Sequence, residues 1–393
     1  MKRNWNRSLA VAALMLLPVA LRAQEATPAQ AIALEQQGKL PEAAAAWLAV
    51  TRANPRDGAA FASLGVVLAK EQKYPEAAAA YRKALALNPK LPGLQLNLGL
   101  AEFKQGHFQA ASAPLAAALA AEHADGPKQL QARTLLGLTY YGTQRYADAV
   151  KELRPAAAAD PANVELHQVL AQSCLWAREY DCALAEFKQI LQTNPDSAAA
   201  HVLSGEALEG LGKTQEAIAE FQEALKASPH EPNVHFGLGY LYWKSHQYDD
   251  AKREFRAELA NDPGQAEALA YLGDIEMKAG DTEAALASLH KSIQLKNDIR
   301  IAAIDLGVIL AQQKQYAEAV TALRHAVALD PAEPDAHYRL AHVYQEMGKA
   351  EDSQKEFATV RELKEKKDRQ DEDMVRKMSS SPPALGAPQP PPN

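Results

Sequence analysis

The stretch GAAFASLGVVLAKEQKYPEAAAAYRKALALNPKL, Gly58 to Leu91, decides the fold. Its apolar residues recur at three- and four-residue steps, the period of a helix surface. The spacing predicts one helix carrying Phe61, Leu64, Gly65 and Leu68 and a second carrying Ala77, Tyr81 and Ala84. The polar turn Glu71 to Lys73 separates them. Asn88-Pro89 ends the second, because proline lacks an N–H and biases the preceding residue away from helical backbone. Each helix has a single apolar stripe, and an isolated pair cannot bury both. The stretch therefore predicts copies of itself on either side.

Those copies are present. A frame of 34 residues starts at Gln24, Gly58, Pro92, Leu130, Val164, Ala198, Pro232, Ala266, Arg300 and Pro334, with one irregularity of four residues near Glu122 to Lys128. The eighth place holds Ala31, Gly65, Gly99, Gly137, Ala171, Gly205, Gly239, Gly273, Gly307 and Ala341. Seven of these ten are glycine although the chain has only 20, and glycine costs about 1 kcal/mol inside a helix relative to alanine. Such placement calls for close helix packing. The twentieth place is also small, from Ala43 and Ala77 to Ala319 and Ser353, so the expectation is that small faces small and the two backbones touch. Trp47, Tyr81, Leu115, Leu153, Phe187, Phe221, Phe255, Leu289, Leu323 and Phe357 fill one core place of the second helix. Pro55, Pro89, Pro161, Pro195, Pro229, Pro263 and Pro331 end second helices.

This pattern resembles the tetratricopeptide repeat family from Gln24 to Lys367, in ten units: 24–57, 58–91, 92–129, 130–163, 164–197, 198–231, 232–265, 266–299, 300–333 and 334–367. His123 and Asn297 stand where the terminating proline is expected, and Gln30 replaces a leucine in the first unit. The resemblance implies an all-α fold, an α-solenoid superhelix with first helices on its concave side and second helices on its convex side. Alanine abundance agrees with helix, and Val, Ile and Thr are too scattered for a sheet.

Residues 1–23 read as a bacterial signal peptide. Lys2, Arg3 and Arg7 precede a 13-residue apolar run, Leu9 to Leu21, too short to span a bilayer comfortably. Cleavage is expected after Ala23, and an uncleaved N-terminal membrane anchor is the alternative. Export to the periplasm or cell envelope of a bacterium follows. Loss of Lys2, Arg3, Arg7 and Arg22 leaves 38 basic against 49 acidic residues, a net charge of −11 in place of −7. That balance argues against nucleic acid or an anionic membrane as the main partner. Residues 368–393 read as a charged, then Pro/Ser-rich, disordered tail, with the charged run Arg361 to Met378 as a solvated cap on the last repeat.

No P-loop, HExxH or GxSxG motif occurs, and no cofactor motif, so a non-catalytic role is expected. His167, His201 and His235 recur at the frame spacing. A metal needs donors about 2.0–2.1 Å away, whereas neighbouring helices lie roughly 8–10 Å apart, so the column reads as packing and not as a metal site. Cys174 and Cys182, the only cysteines, are either a disulfide closing a helix hairpin in an oxidising compartment or two buried thiols. The concave wall is the expected working surface, with Phe103, Tyr141, Gln172, Trp176, Phe236, Tyr240, Trp243 and Tyr338 as groove residues and Leu96, Gln168, Glu206, Asp274 and His342 at matching places. Aromatics with amides and acids suit an extended peptide or a partner helix. Some family members clamp a C-terminal carboxylate with Lys, Asn and Arg. Here only Lys70, Asn97 and Lys104 fit such places, so that mode is not expected. The expected function is an exported scaffold that holds a protein or peptide. An accessory subunit of an envelope assembly or surface-polymer export machine is the alternative.

Overall fold

The computed structural model describes residues 27–121 and 126–380. Residues 1–23, read above as a signal peptide, the middle of the frame irregularity and the Pro-rich end therefore lie outside the described residues. Among those described there are twenty helices and no strand. The chain divides into two compact units, residues 1–177 and 178–393.

Unit 1 contains α1 (Pro28–Gln36), α2 (Leu40–Ala53), α3 (Gly58–Lys70), α4 (Tyr74–Leu87), α5 (Leu94–Lys104), α6 (Phe108–Ala121), α7 (Pro127–Gly142), α8 (Tyr146–Ala159) and α9 (Val164–Trp176). Unit 2 contains α10 (Tyr180–Thr193), α11 (Ala198–Gly210), α12 (Thr214–Ala227), α13 (Val234–Lys244), α14 (Tyr248–Asn261), α15 (Ala266–Lys278), α16 (Thr282–Leu295), α17 (Arg300–Gln312), α18 (Tyr316–Leu329), α19 (Pro334–Glu346) and α20 (Ala350–Ser380). In each unit a helix packs on the next, and first helices of successive repeats also touch, as α15 does α17 and α17 does α19. The fold is an all-α solenoid of tetratricopeptide-type helix pairs.

Local chemistry sets the helix ends. Asp57 Oδ1 accepts from the Ala60 N–H at 3.0 Å, Asn163 Oδ1 from Leu166 at 3.0 Å and Gln265 Oε1 from Ala268 at 2.6 Å, each satisfying a donor that the first turn leaves free. Between the two helices of every repeat one residue takes left-handed backbone. These residues are Gly38, Gln72, Gly106, Gln144, Arg178, Gly212, His246, Gly280, Lys314 and Gly348, all at the fifteenth place of the frame.

The packing of the eighth-place glycines corrects the expectation that they chiefly face the small twentieth place. A Cβ on Gly65 would lie 2.5 Å from the Tyr81 ring, on Gly239 2.7 Å from the Phe255 ring, and on Gly307 2.6 Å from Leu323. The missing side chain therefore admits the large core residue of the second helix. The twentieth-place backbone comes next, with the carbonyl oxygens of Ala285 and Ala319 at 3.4 Å from the positions on Gly273 and Gly307.

A second correction falls at the end of the frame. The charged run is not an unstructured tail from residue 368: α20 continues as helix to Ser380. Its Glu, Lys and Arg residues are good helix formers, and Glu362–Lys366 and Glu365–Arg369 sit four apart in the favourable order.

Candidate functional site

In unit 1 the expected groove residues form two groups. On α5, Phe103 meets Phe108 edge-on with ring centroids 5.4 Å apart. On α7 and α9, the Tyr141 hydroxyl donates to Gln172 Oε1 at 2.6 Å, and the Tyr141 ring stacks on Trp176 at 5.6 Å. Tyr146 completes a cluster of three rings, 4.9 Å from Trp176 and 6.2 Å from Tyr141. Burial, and then the neighbouring Tyr146, hold the Tyr141 hydroxyl above its ordinary pKa. Trp176 nevertheless keeps 46% of its surface in solvent. Leu96, read as a wall residue, is instead buried in the core with Leu115 and Leu136, because its side chain points between α5 and the helices behind it.

Lys70, Asn97 and Lys104 come together. With Val66, Ala69, Tyr74 and Leu100 they line a cleft of about 340 Å³. Lys70 is already engaged there, donating to Glu35 at 2.7 Å.

Unit 2 carries the larger assembly. Phe236, Tyr240 and Trp243 rise along α13, with Phe236–Tyr240 and Tyr240–Trp243 centroids 6.5 and 6.1 Å apart. Tyr271 on α15 fills the angle between them, 4.9 Å from Trp243, 5.5 Å from Tyr240 and 6.1 Å from Phe236. Burial pushes the Tyr271 hydroxyl up to about 12, with Tyr240, Asp274 and Glu267 adding to it, so the phenol stays neutral. Tyr240, Trp243 and Tyr271 line a cleft of about 600 Å³ on the first-helix face, together with Asp274, Lys278, Arg300, Asp305, Asp335 and Arg339 from α15, α17 and α19.

The polar floor of this cleft is a pair of carboxyls. Asp274 Oδ2 accepts from Trp243 Nε1 at 2.5 Å and from the Lys278 ammonium. Asp305 is only 5% exposed, and its Oδ2 has no hydrogen-bond partner. Burial, then the charge of Asp274 and, last, a hydrogen bond between the two carboxyls push Asp305 up to about 8, against the opposing pull of Lys278 and Arg339. Arg300 pairs with Asp335 across the rim. Tyr338 stands apart from this cleft, 44% exposed, against His342 and Phe357.

Sequence reasoning did not single out Tyr271, Asp305 or Arg339. All three occupy the sixth place of the frame, in three successive repeats. Asn97 holds the same place in the smaller cleft. Type varies along that column while position does not, so the available signal was the place itself.

The histidine column has a different explanation. His201 Nδ1 lies 2.7 Å from Glu220 Oε2, His235 Nδ1 2.8 Å from Glu254 Oε2, and His337 Nδ1 2.6 Å from Glu356 Oε2. Arg133 donates to Glu152 at the same pair of places, at 3.0 Å. Each base bonds an acid nineteen residues on, in its own repeat, linking first helix to second. Cys174 lies near the end of α9 and Cys182 at the start of α10, and neither is a free thiol.

The comparisons with known proteins agree with this architecture. A tetratricopeptide repeat family model matches residues 29–92, 96–164, 169–232 and 236–298. Further matches, described as TPR repeat and tetratricopeptide repeat, cover 307–348 and 208–257. No curated protein matches the chain. Among solved structures, a tetratricopeptide repeat protein from Parabacteroides merdae is similar with 18% identity over 63% of this chain and 97% of its own, at a TM-score of 0.50. YrrB, described as a TPR protein with an unusual peptide-binding site, has 20% identity over 45% of this chain and 91% of its own, at 0.37. MamA has 24% identity over 42% and 96%, at 0.36. With helix pairs that repeat in a fixed frame and a family match over more than half of its length, the chain belongs to the tetratricopeptide repeat family.

Proposed function

We propose that the chain is a non-catalytic scaffold that holds a protein or peptide on the first-helix face of its repeats, after export to a bacterial cell envelope. One observation carries the reading. Tyr240, Trp243 and Tyr271 are only partly buried and line an open cleft, although rings of this size would gain by full burial in the core. Large amphipathic rings on a rigid wall give contact area without an ordering penalty, so affinity comes from preorganised contacts. The surrounding carboxyls, amides and guanidinium groups supply direction to a bound chain. Export rests on the sequence of residues 1–23, and the engaged state of Cys174 and Cys182 fits an oxidising compartment.

The test is the double variant Tyr240→Ala/Trp243→Ala. Its helical circular dichroism should stay near that of the parent, while cross-linked partner recovered from living cells should fall at least about tenfold, the equivalent of about 1.4 kcal/mol. Undiminished recovery would count against the face. N-terminal sequencing of the envelope fraction checks export, with a mature chain starting at Gln24 as the expected result.

A further inference from the structure

We infer that the cleft between Trp243 and Arg339 is a pocket for a basic side chain, lysine or arginine, of the bound peptide. This rests on the peptide-holding reading above and specifies what one position of that peptide must be.

The first observation is the unsatisfied acid. A buried carboxyl oxygen without a hydrogen-bond partner is costly, because it has given up water for nothing. Asp305 Oδ2 is such an atom, on a side chain 95% withdrawn from solvent, and it belongs to a residue that lines an open cleft. A ligand donor is the partner it lacks.

The second observation is the distribution of charge around it. Every element packed on the cleft contributes. On α13 the facing groups are Tyr240 and Trp243, both uncharged. On α15, Glu267 is held by Lys296, and Asp274 is held by Trp243 and Lys278. On α17 and α19, Arg300 is spent on Asp335. Arg339 acts on Asp305 through space and leaves Oδ2 without a hydrogen bond. Asp305 is engaged with the neighbouring Asp274 carboxyl, and its Oδ2 is the acid oxygen of this cleft that remains without a partner.

The third observation is that the chain already places an ammonium in this setting. Lys278 Nζ lies 5.1 Å from the Trp243 ring centroid while donating to Asp274. Aromatic face plus carboxylate is a cation-selective combination. Asp305 lines the same aromatic cleft, and its Oδ2 has no hydrogen-bond partner.

Protonation couples to occupancy. At neutral pH the raised Asp305 carboxyl holds a proton, and Tyr271 stays neutral. An entering cation favours the ionised carboxylate, so binding expels that proton. Affinity should therefore climb with pH up to about 8, by as much as about tenfold per pH unit, and level off above it.

The experiment uses the full chain and three fluorescent dodecapeptide libraries, random except for a fixed central lysine, norleucine or glutamate. Anisotropy is read at pH 6 and pH 8. The lysine library should bind about tenfold tighter than the norleucine library at pH 8, and that advantage should shrink at pH 6. Asp305→Asn, whose carboxamide keeps the shape of the protonated acid, should abolish the preference. Equal binding of lysine and norleucine, a preference for glutamate, or a lysine preference retained in Asp305→Asn would each overturn the pocket. If Trp243→Ala then still weakened all three libraries, the binding face would stand without it. No binding by any library would overturn both. Should Asp305→Asn fail to fold, the pH dependence of the parent protein decides alone.

Discussion

At the fifteenth place of each repeat one residue bears the conformational strain of the reversal between helices. Five of the ten are glycine, which adopts left-handed backbone without a Cβ clash. The other five do so with a side chain attached, Lys314 at φ 63° among them. Lys314 is exposed, and its backbone N–H donates to Ala311 at 2.9 Å, a bond that glycine would keep. The left-handed penalty for an ordinary residue is roughly 1–2 kcal/mol, and the added freedom of glycine in the unfolded chain gives back about 0.5–1 kcal/mol. Lys314→Gly should therefore stabilise by about 0.5–1 kcal/mol, read as a higher urea midpoint with an unchanged slope. Gly280→Ala, at φ 81°, should move the midpoint the other way by a similar amount. If both variants shifted the midpoint in the same direction, backbone strain would not be what governs this place.

At the scale of the helix, what repeats is legible and what varies is not. Ten copies of one spacing disclose the helix pairs, because a glycine such as Gly239 recurs where propensity alone would reject it. The partner of that glycine was not legible, since a small twentieth place and a large twenty-fourth place are equally periodic, and only the packing shows the Phe255 ring over Gly239. The cleft was half legible. Trp243 and Tyr240 announce themselves as aromatics, whereas Tyr271, Asp305 and Arg339 share a place but no chemistry. The extension of α20 lacked the apolar stripe on which the reading depended, and charge pairing along one helix replaces it. That difference has a consequence. Residues 364–373 of α20 are all exposed, so they add helix without adding core. Ending the chain after Lys367 should lower the helical signal slightly and leave the denaturation midpoint within about 0.5 kcal/mol of the parent. A clear fall in the midpoint would mean that the extension packs on something.

Across the whole molecule, stability is a sum of local clusters. The substantial helix contacts in each unit join neighbours or next-but-one helices only. Core clusters follow suit: Ala251, Phe255, Ala268, Leu272 and Ile275 make one, while Ala77, Tyr81, Ala84, Leu94 and Leu98 belong to another. An array of this kind behaves as a one-dimensional chain of intrinsic and interfacial terms, and its cooperativity is finite. Phe255 is fully buried, and replacing such a ring by alanine costs about 3–5 kcal/mol. The loss should stay near its source. Hydrogen exchange followed by mass spectrometry on Phe255→Ala should show faster exchange in α13 to α15, where the lost ring made its contacts, and parent-like protection in α3 to α6 of unit 1. Binding on the Trp243 face should weaken as well, because Phe255 lies 5.9 Å from Phe236 and stacks on Tyr271 at 5.7 Å, supporting the wall from behind. A uniform rise in exchange across both units would require the array to unfold as a single cooperative body, and would remove the nearest-neighbour account of its stability.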